Sequence, residues 1–199
     1  MRRRPAEALL IDFDGVLRQY DPDAYPGFEQ RHGVAPSALL DSGLTWGRLL
    51  PAITGYWTRQ QWLDEIAADT GASAEAVAEW DAYRGRIDGP VLEFVRAARA
   101  AGRKVALVTN ATDDLRQDLA RFGLEAEFDA VISSAELRTH KPTKEFFAAA
   151  CQAVQTPPDR CLLVDDTDRH IRGARVAGLS AMRWSGPADL PYLRAALSL

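Results

Sequence analysis

Cysteine is nearly absent from this chain: Cys151 and Cys161 are the only two among 199 residues. That excludes a disulfide framework and any zinc site built on thiolate pairs, and it points to a reducing compartment. Long apolar runs are missing too. Nothing approaches the ~18 consecutive apolar residues of a membrane-spanning helix, so no membrane partner is expected. The basic start Met1-Arg2-Arg3-Arg4 imitates a secretory leader, but the apolar run behind it covers only Ala8–Ile11 before Asp12 interrupts. That is too short for a leader core, and the expected location is cytoplasmic. Excess charge of one sign is lacking as well: 24 basic against 28 acidic residues leave a net charge of −4. A general nucleic-acid or membrane-surface binder is thereby excluded. Internal repeats and low-complexity stretches are absent. With 47% hydrophobic and 26% charged residues, the composition is that of a globular protein. A chain of this length buries roughly 70% of its unfolded surface without staples.

Four short apolar runs read as buried parallel strands: Ala8–Ile11, Val105–Val108, Ala130–Ile132 and Cys161–Val164. Between them lie helical patterns with clear punctuation. One opens at Pro90 and closes at Gly102; a second runs from Asp113 to Phe122 before Gly123. A third spans Thr143–Val154, and a fourth covers Ile171–Ala177 before Gly178. Strands alternating with helices predict an α/β fold, a doubly wound and mostly parallel sheet. The stretch 19–88 breaks the rhythm and offers no convincing strand. Thr58-Arg59-Gln60-Gln61 has capping-box form and starts a helix to Gly71, and Ser73 caps another to about Tyr83. Four of the five tryptophans (Trp46, Trp57, Trp62, Trp80) fall here, as a small helical module needing its own core would require. The expected organisation is a core of residues 1–18 and 89–199 and an inserted helical cap, 19–88, with hinges near Leu17–Gln19 and Ile87–Gly89. Cap arginines such as Arg31, Arg48, Arg59 and Arg84 are expected mostly on solvated faces.

Ligands of open α/β sheets bind outside the carboxyl ends of the strands. The first strand ends in Asp12-Phe13-Asp14-Gly15, the next in Thr109-Asn110 and the last in Asp165-Asp166, while Lys141-Pro142 precedes a helix. Carboxylates, a hydroxyl, an amide and one ammonium therefore converge at one edge. These are groups that bind Mg²⁺ together with a phosphate: Mg²⁺ prefers a few carboxylates plus substrate oxygens, and lysine is a compact charge for phosphate. Lys141 is one of only three lysines beside 21 arginines.

These residues resemble the haloacid dehalogenase superfamily, whose members are mostly phosphatases. Asp12–Val16 (D-x-D-G-V) looks like its first motif, Thr109 its second, Lys141 its third and Asp165-Asp166 its fourth. Order and spacing match, and the long first interval is where the family's helical cap would sit. The resemblance covers residues 8–18 and about 89–185; the cap matches in position and helical character only. It implies a Mg²⁺-dependent phosphatase acting on a small phosphorylated metabolite such as a sugar phosphate, by way of an aspartyl-phosphate. Asp12 is implied as nucleophile, with Asp14 as general acid and base. Asp12, the Asp14 backbone carbonyl and Asp166 are implied metal ligands, with Asp165 a further candidate. Thr109, the Asn110 amide and Lys141 are implied to hold the phosphoryl oxygens. His170 stands where the family usually carries Asp or Asn, and is expected as a helix-face or supporting residue.

Relatives with other chemistry fit less well. Asp14 argues against a dehalogenase, which needs no acid for its leaving group. Residues 19–88 contain no lysine, which excludes a phosphonatase with a cap Schiff base. A phospho-accepting signalling receiver has its acidic pair on the first strand, not the last, and a non-catalytic binding relic would have lost one of the motif residues. A phosphoglucomutase-like phosphoryl transferase keeps the whole set and remains an alternative, as does, in a different class, a non-catalytic binding or phospho-accepting protein of the same fold. The partner expected is a small phosphorylated substrate, with the protein a monomer or homodimer.

Overall fold

The computed structural model describes residues 5–21, 23 and 26–199; the Met1–Arg4 run lies outside the described residues. Five strands form one sheet: β1 (Ala8–Ile11), β4 (Lys104–Thr109), β5 (Ala130–Ser133), β6 (Cys161–Asp165) and β7 (Ser180–Arg183). Their order is β5-β4-β1-β6-β7, and every pairing is parallel. The chain moves outward from β1 to β5, then returns to lay β6 on the other side of β1. The reversal falls at β1, so the crevice beyond its carboxyl end is flanked by β4 and β6.

Alternation along each strand divides the core into two layers. Leu9, Ile11, Val105, Leu107, Leu162 and Val164 face one side, where they meet α6 (Gly89–Ala100), α7 (Leu115–Arg121) and α11 (Leu190–Leu197). Ala8, Leu10, Ala106, Val108, Cys161 and Leu163 face the other, against α9 (Lys144–Ala153) and α10 (Asp168–Val176), the short α8 (Ser134–Leu137) following β5 directly. Both faces are covered, which is why these strands read as continuous apolar runs. None of the described helices is long and apolar enough to cross a membrane.

Between β1 and α6 the chain builds the cap from α1 (Pro26–Arg31), α2 (Ala38–Leu44), α3 (Trp46–Ile53), α4 (Arg59–Thr70) and α5 (Ala74–Ala82). The Thr58 capping box forms as expected, its hydroxyl accepting from the Gln61 N–H while Gln61 reaches back, and Gly71 ends α4 in a left-handed turn. A separate apolar cluster of Phe28, Leu39, Trp62, Leu63, Ile66, Val77 and Trp80 holds these helices together. Trp62 and Trp80 thus pack as expected, whereas Trp46 stays 46% exposed. One correction concerns strands. The stretch read as strandless carries an antiparallel pair at its ends, β2 (Arg18–Gln19) with β3 (Arg86–Ile87). Two-residue strands of mixed polarity leave no periodic signal.

Candidate active site

Asp12 continues β1, its amide donating to the Val164 carbonyl at 3.0 Å. The chain then turns sharply: the Phe13 carbonyl accepts from the amides of Leu17 (2.9 Å) and Arg18 (2.7 Å). Gly15 makes this turn possible. Its φ is +78°, and a Cβ there would lie 2.1 Å from Asp166 Oδ2. Only glycine accepts both the left-handed backbone and that approach. The same contact brings the Asp166 carboxylate, from the loop after β6, against the Asp14–Gly15 turn.

Lys141 is the centre of charge. Its side chain is fully buried, with Nζ 2.8 Å from Asp12 Oδ2 and 2.6 Å from Asp165 Oδ2. Asp12 Oδ1 accepts from the Phe13 amide at 2.7 Å. Asp165 also receives the Thr167 amide (2.9 Å) and His170 Nδ1 (3.0 Å). Burial pushes the Asp12 carboxyl well above the ordinary carboxylate range, against the pull of Lys141. Burial opposes the Asp165 charge too, but Lys141 and His170 outweigh it and hold that carboxyl low. Lys141 itself is raised: burial favours losing the proton, and the two aspartates overcome that.

The lysine is held by its backbone. Asn110 accepts from the Lys141 amide at 2.8 Å and donates to the Lys141 carbonyl at 3.1 Å. Thr143 caps α9 by accepting from the Phe146 amide and donates to the His140 carbonyl. From the other side Gly173 of α10 lies so close that a Cβ would meet Pro142 at 2.4 Å. The Asn110 side chain therefore clasps the lysine loop while the residue also lines the cavity. Thr109 closes β4 with 1% exposure.

Asp12, Asp165 and His170 bring donor atoms within 4.8 Å of one another, but the Lys141 ammonium already bridges the two aspartates. Asp166 differs: its Oδ1 accepts from the Thr167 hydroxyl at 3.0 Å, and its Oδ2 is the oxygen beside Gly15. A hard oxygen donor set of Asp12, the Asp14 carbonyl and Asp166 fits Mg²⁺.

Arg18 escaped the sequence reading. It binds Asp14 with Nε at 2.6 Å and Nη2 at 3.0 Å, and reaches Asp118 of α7 with Nη1 at 2.5 Å. Asp118 pairs in turn with Arg84 at 3.2 Å, and Arg84 with Asp114. Arg59 reaches Asp81 at 2.5 Å and Asp114 at 3.3 Å. Arg59 and Arg84 thus lie in a half-buried ion-pair network between cap and core, which corrects their expected solvated placement. Arg48 is likewise partnered, by Asp69 at 2.7 Å, while Arg31 is exposed and pairs with Glu79. A spacing of four from Asp14 was the available signal for Arg18; its other partner is a hundred residues away.

The profile of haloacid dehalogenase-like hydrolases matches residues 6–178. The chain belongs to this family. A fructose-1-phosphate phosphatase of Escherichia coli is 25% identical over 187 residues, covering 87% of this chain and 94% of that protein. A family hydrolase from Porphyromonas gingivalis superposes with a TM-score of 0.80 at 18% identity, over 98% of this chain and 100% of that one. A family enzyme from Bacteroides thetaiotaomicron, solved with magnesium and inorganic phosphate, gives a TM-score of 0.75 at 22% identity, over 90% and 94%. The doubly wound sheet with an inserted helical cap is the fold of this family.

Proposed function

We propose that this hydrolase is a Mg²⁺-dependent phosphatase of small phosphate monoesters, working through an aspartyl-phosphate on Asp12. The observation that carries the reading is the buried Lys141 ammonium held against Asp12 at the switch point of the sheet, with Asp166 beside the same turn. A lysine locked there by Asp165 and by the Asn110 clasp is placed to neutralise a phosphoryl oxygen once substrate arrives. Asp165 serves as the anchor of Lys141 in this reading, and Asn110 sets its loop. The side chains of Asp12 and Asp166 and the Asp14 carbonyl would hold Mg²⁺, which supplies charge neutralisation for the phosphoryl group.

A carboxylate oxygen of Asp12 attacks phosphorus and the ester P–O bond breaks, Asp14 giving its proton to the departing alcohol oxygen. Water then attacks the aspartyl-phosphate, gives a proton to Asp14, and phosphate leaves as the Asp12–phosphorus bond breaks. Thr109 takes a phosphoryl oxygen at the floor. Arg18 holds both Asp14 carboxylate oxygens, and Asp14 must leave that grip to act, so this geometry is the resting arrangement. The fructose-1-phosphate phosphatase relative and the Bacteroides enzyme holding magnesium and phosphate support the reading. Release of phosphate from 4-nitrophenyl phosphate tests it: activity should need added Mg²⁺, vanish in excess chelator, and fall by at least about 10⁴-fold in Asp12→Asn. Full turnover by a metal-free protein or by Asp12→Asn would overturn it.

A further inference from the structure

The cavity above the site has a volume of about 570 Å³, enough for a drug-sized ester. Its cap wall is largely apolar. Leu40 and Leu44 of α2 and Trp46, Leu49 and Ile53 of α3 line it, each set spaced three or four apart so that both helices turn an apolar face to the space. Half of the exposed large hydrophobics among the described residues are gathered here. Of the eight found among the described residues, Tyr20, Leu40, Leu44 and Trp46 all line this one cavity.

The charged cap groups of that wall are already engaged. Arg59 and Asp81 bind each other through Nε at 2.7 Å and Nη2 at 2.5 Å. On the core side Arg18, Asp114 and Asp118 pair within the network, and Asn110 holds the Lys141 backbone. A polyol entering this space would trade water for leucine and tryptophan, and each unmet hydroxyl costs about 1–3 kcal/mol. An apolar body gains instead. Arg169 lies over the Trp46 ring at 5.7 Å, and His140 meets the same ring edge-on at 5.4 Å, so the indole in the cavity wall is held between a guanidinium and an imidazole edge.

We propose that the substrate is the phosphate monoester of an apolar, ring-bearing alcohol, and not of a sugar. This rests on the phosphatase reading and replaces the sugar phosphate expected from the sequence. Two paired comparisons test it on the full-length protein with Mg²⁺. In hydrolysis, kcat/KM for 3-phenylpropyl phosphate should exceed that for fructose 1-phosphate at least tenfold. Leu44 and Trp46 are 57% and 46% exposed, so truncating them leaves the fold intact. The double variant Leu44→Gln, Trp46→Ala should shrink that ratio by about tenfold. In binding by calorimetry, 3-phenylpropylphosphonate should bind at least tenfold more tightly than 2,3-dihydroxypropylphosphonate. Equal or better hydrolysis of fructose 1-phosphate, or a ratio that the double variant leaves alone, would overturn the assignment while sparing the phosphatase. The phosphonate preference without hydrolysis of any ester would keep the apolar pocket and sink the phosphatase reading.

Discussion

Lys141 shows how much rests on one side chain. A lysine with no exposed surface, facing two buried carboxylates, is stable only because both are there. Lys141→Ala would leave Asp12 and Asp165 uncompensated, and a broken buried pair costs about 3–5 kcal/mol. Urea unfolding should show a loss of that size, and a loss under 1 kcal/mol would contradict the electrostatic account of this centre. Asp14 predicts a pattern and not merely a loss. A placed acid contributes about 10²–10⁴-fold when the leaving alkoxide is poorly stabilised, and far less for nitrophenolate. Asp14→Asn should therefore slow aspartyl-phosphate formation from an alkyl phosphate much more than from nitrophenyl phosphate, in single-turnover experiments. Equal losses would remove Asp14 as the acid. The convergence of these residues was legible because Asp12, Thr109 and Asp165 end or follow apolar strand runs and Lys141 precedes a helix. The Arg18 grip on Asp14 was not, because Asp118, Arg84 and Asp114 come together only when cap and core meet.

At the scale of elements, the buried strands could be read directly because both their faces are covered. β7 (Ser180–Arg183) could not: an edge strand of sequence SAMR, partly exposed, has no apolar run. The start of α10 at Asp168 was placed late, at Ile171, because its first turn, Asp168-Arg169-His170, is entirely polar. That turn carries His170, expected as a helix-face or supporting residue, to Asp165, and brings Arg169, which the sequence reading passed over, to Trp46. The turn after β1 makes a prediction of its own. Gly15→Ala puts a methyl group where Asp166 Oδ2 lies and strains a φ of +78°. It should cost about 1–3 kcal/mol of stability and raise the Mg²⁺ concentration needed for half-maximal activity by pushing Asp166 away. Wild-type stability together with wild-type Mg²⁺ dependence would show that the turn tolerates a side chain.

At the scale of the molecule, the cap is held to the core by the network of Arg18, Arg59, Arg84, Asp81, Asp114 and Asp118. Burial opposes the Asp114 charge, but Arg59, the Thr112 hydroxyl and Arg84 overcome it and hold the carboxyl below its usual range. A carboxyl depressed in the folded state contributes stability that is complete above its unfolded value, about pH 4, and is lost as pH falls through the folded value. Thermal stability should be flat near neutrality and fall on acidification below about pH 4, and Asp114→Asn should flatten part of that acid limb. An unchanged limb would place the acid sensitivity elsewhere. The chain crosses between cap and core at β2 and β3, which pair with each other. We propose residues 19–88 as the moving piece, with Leu17–Gln19 and Ile87–Gly89 as hinges; hydrogen exchange with beryllium fluoride should slow in the cap and at both crossings, and unchanged protection there would remove the motion.

The proposed mechanism puts the phosphoryl group on the buried carboxylate of Asp12. Borohydride added during turnover reduces an aspartyl-phosphate to homoserine, which peptide mass spectrometry locates in the sequence. Homoserine should be found at position 12, only with Mg²⁺ and substrate present, and not in Asp12→Asn. Homoserine at position 14, or steady turnover with position 12 never modified, would contradict the account.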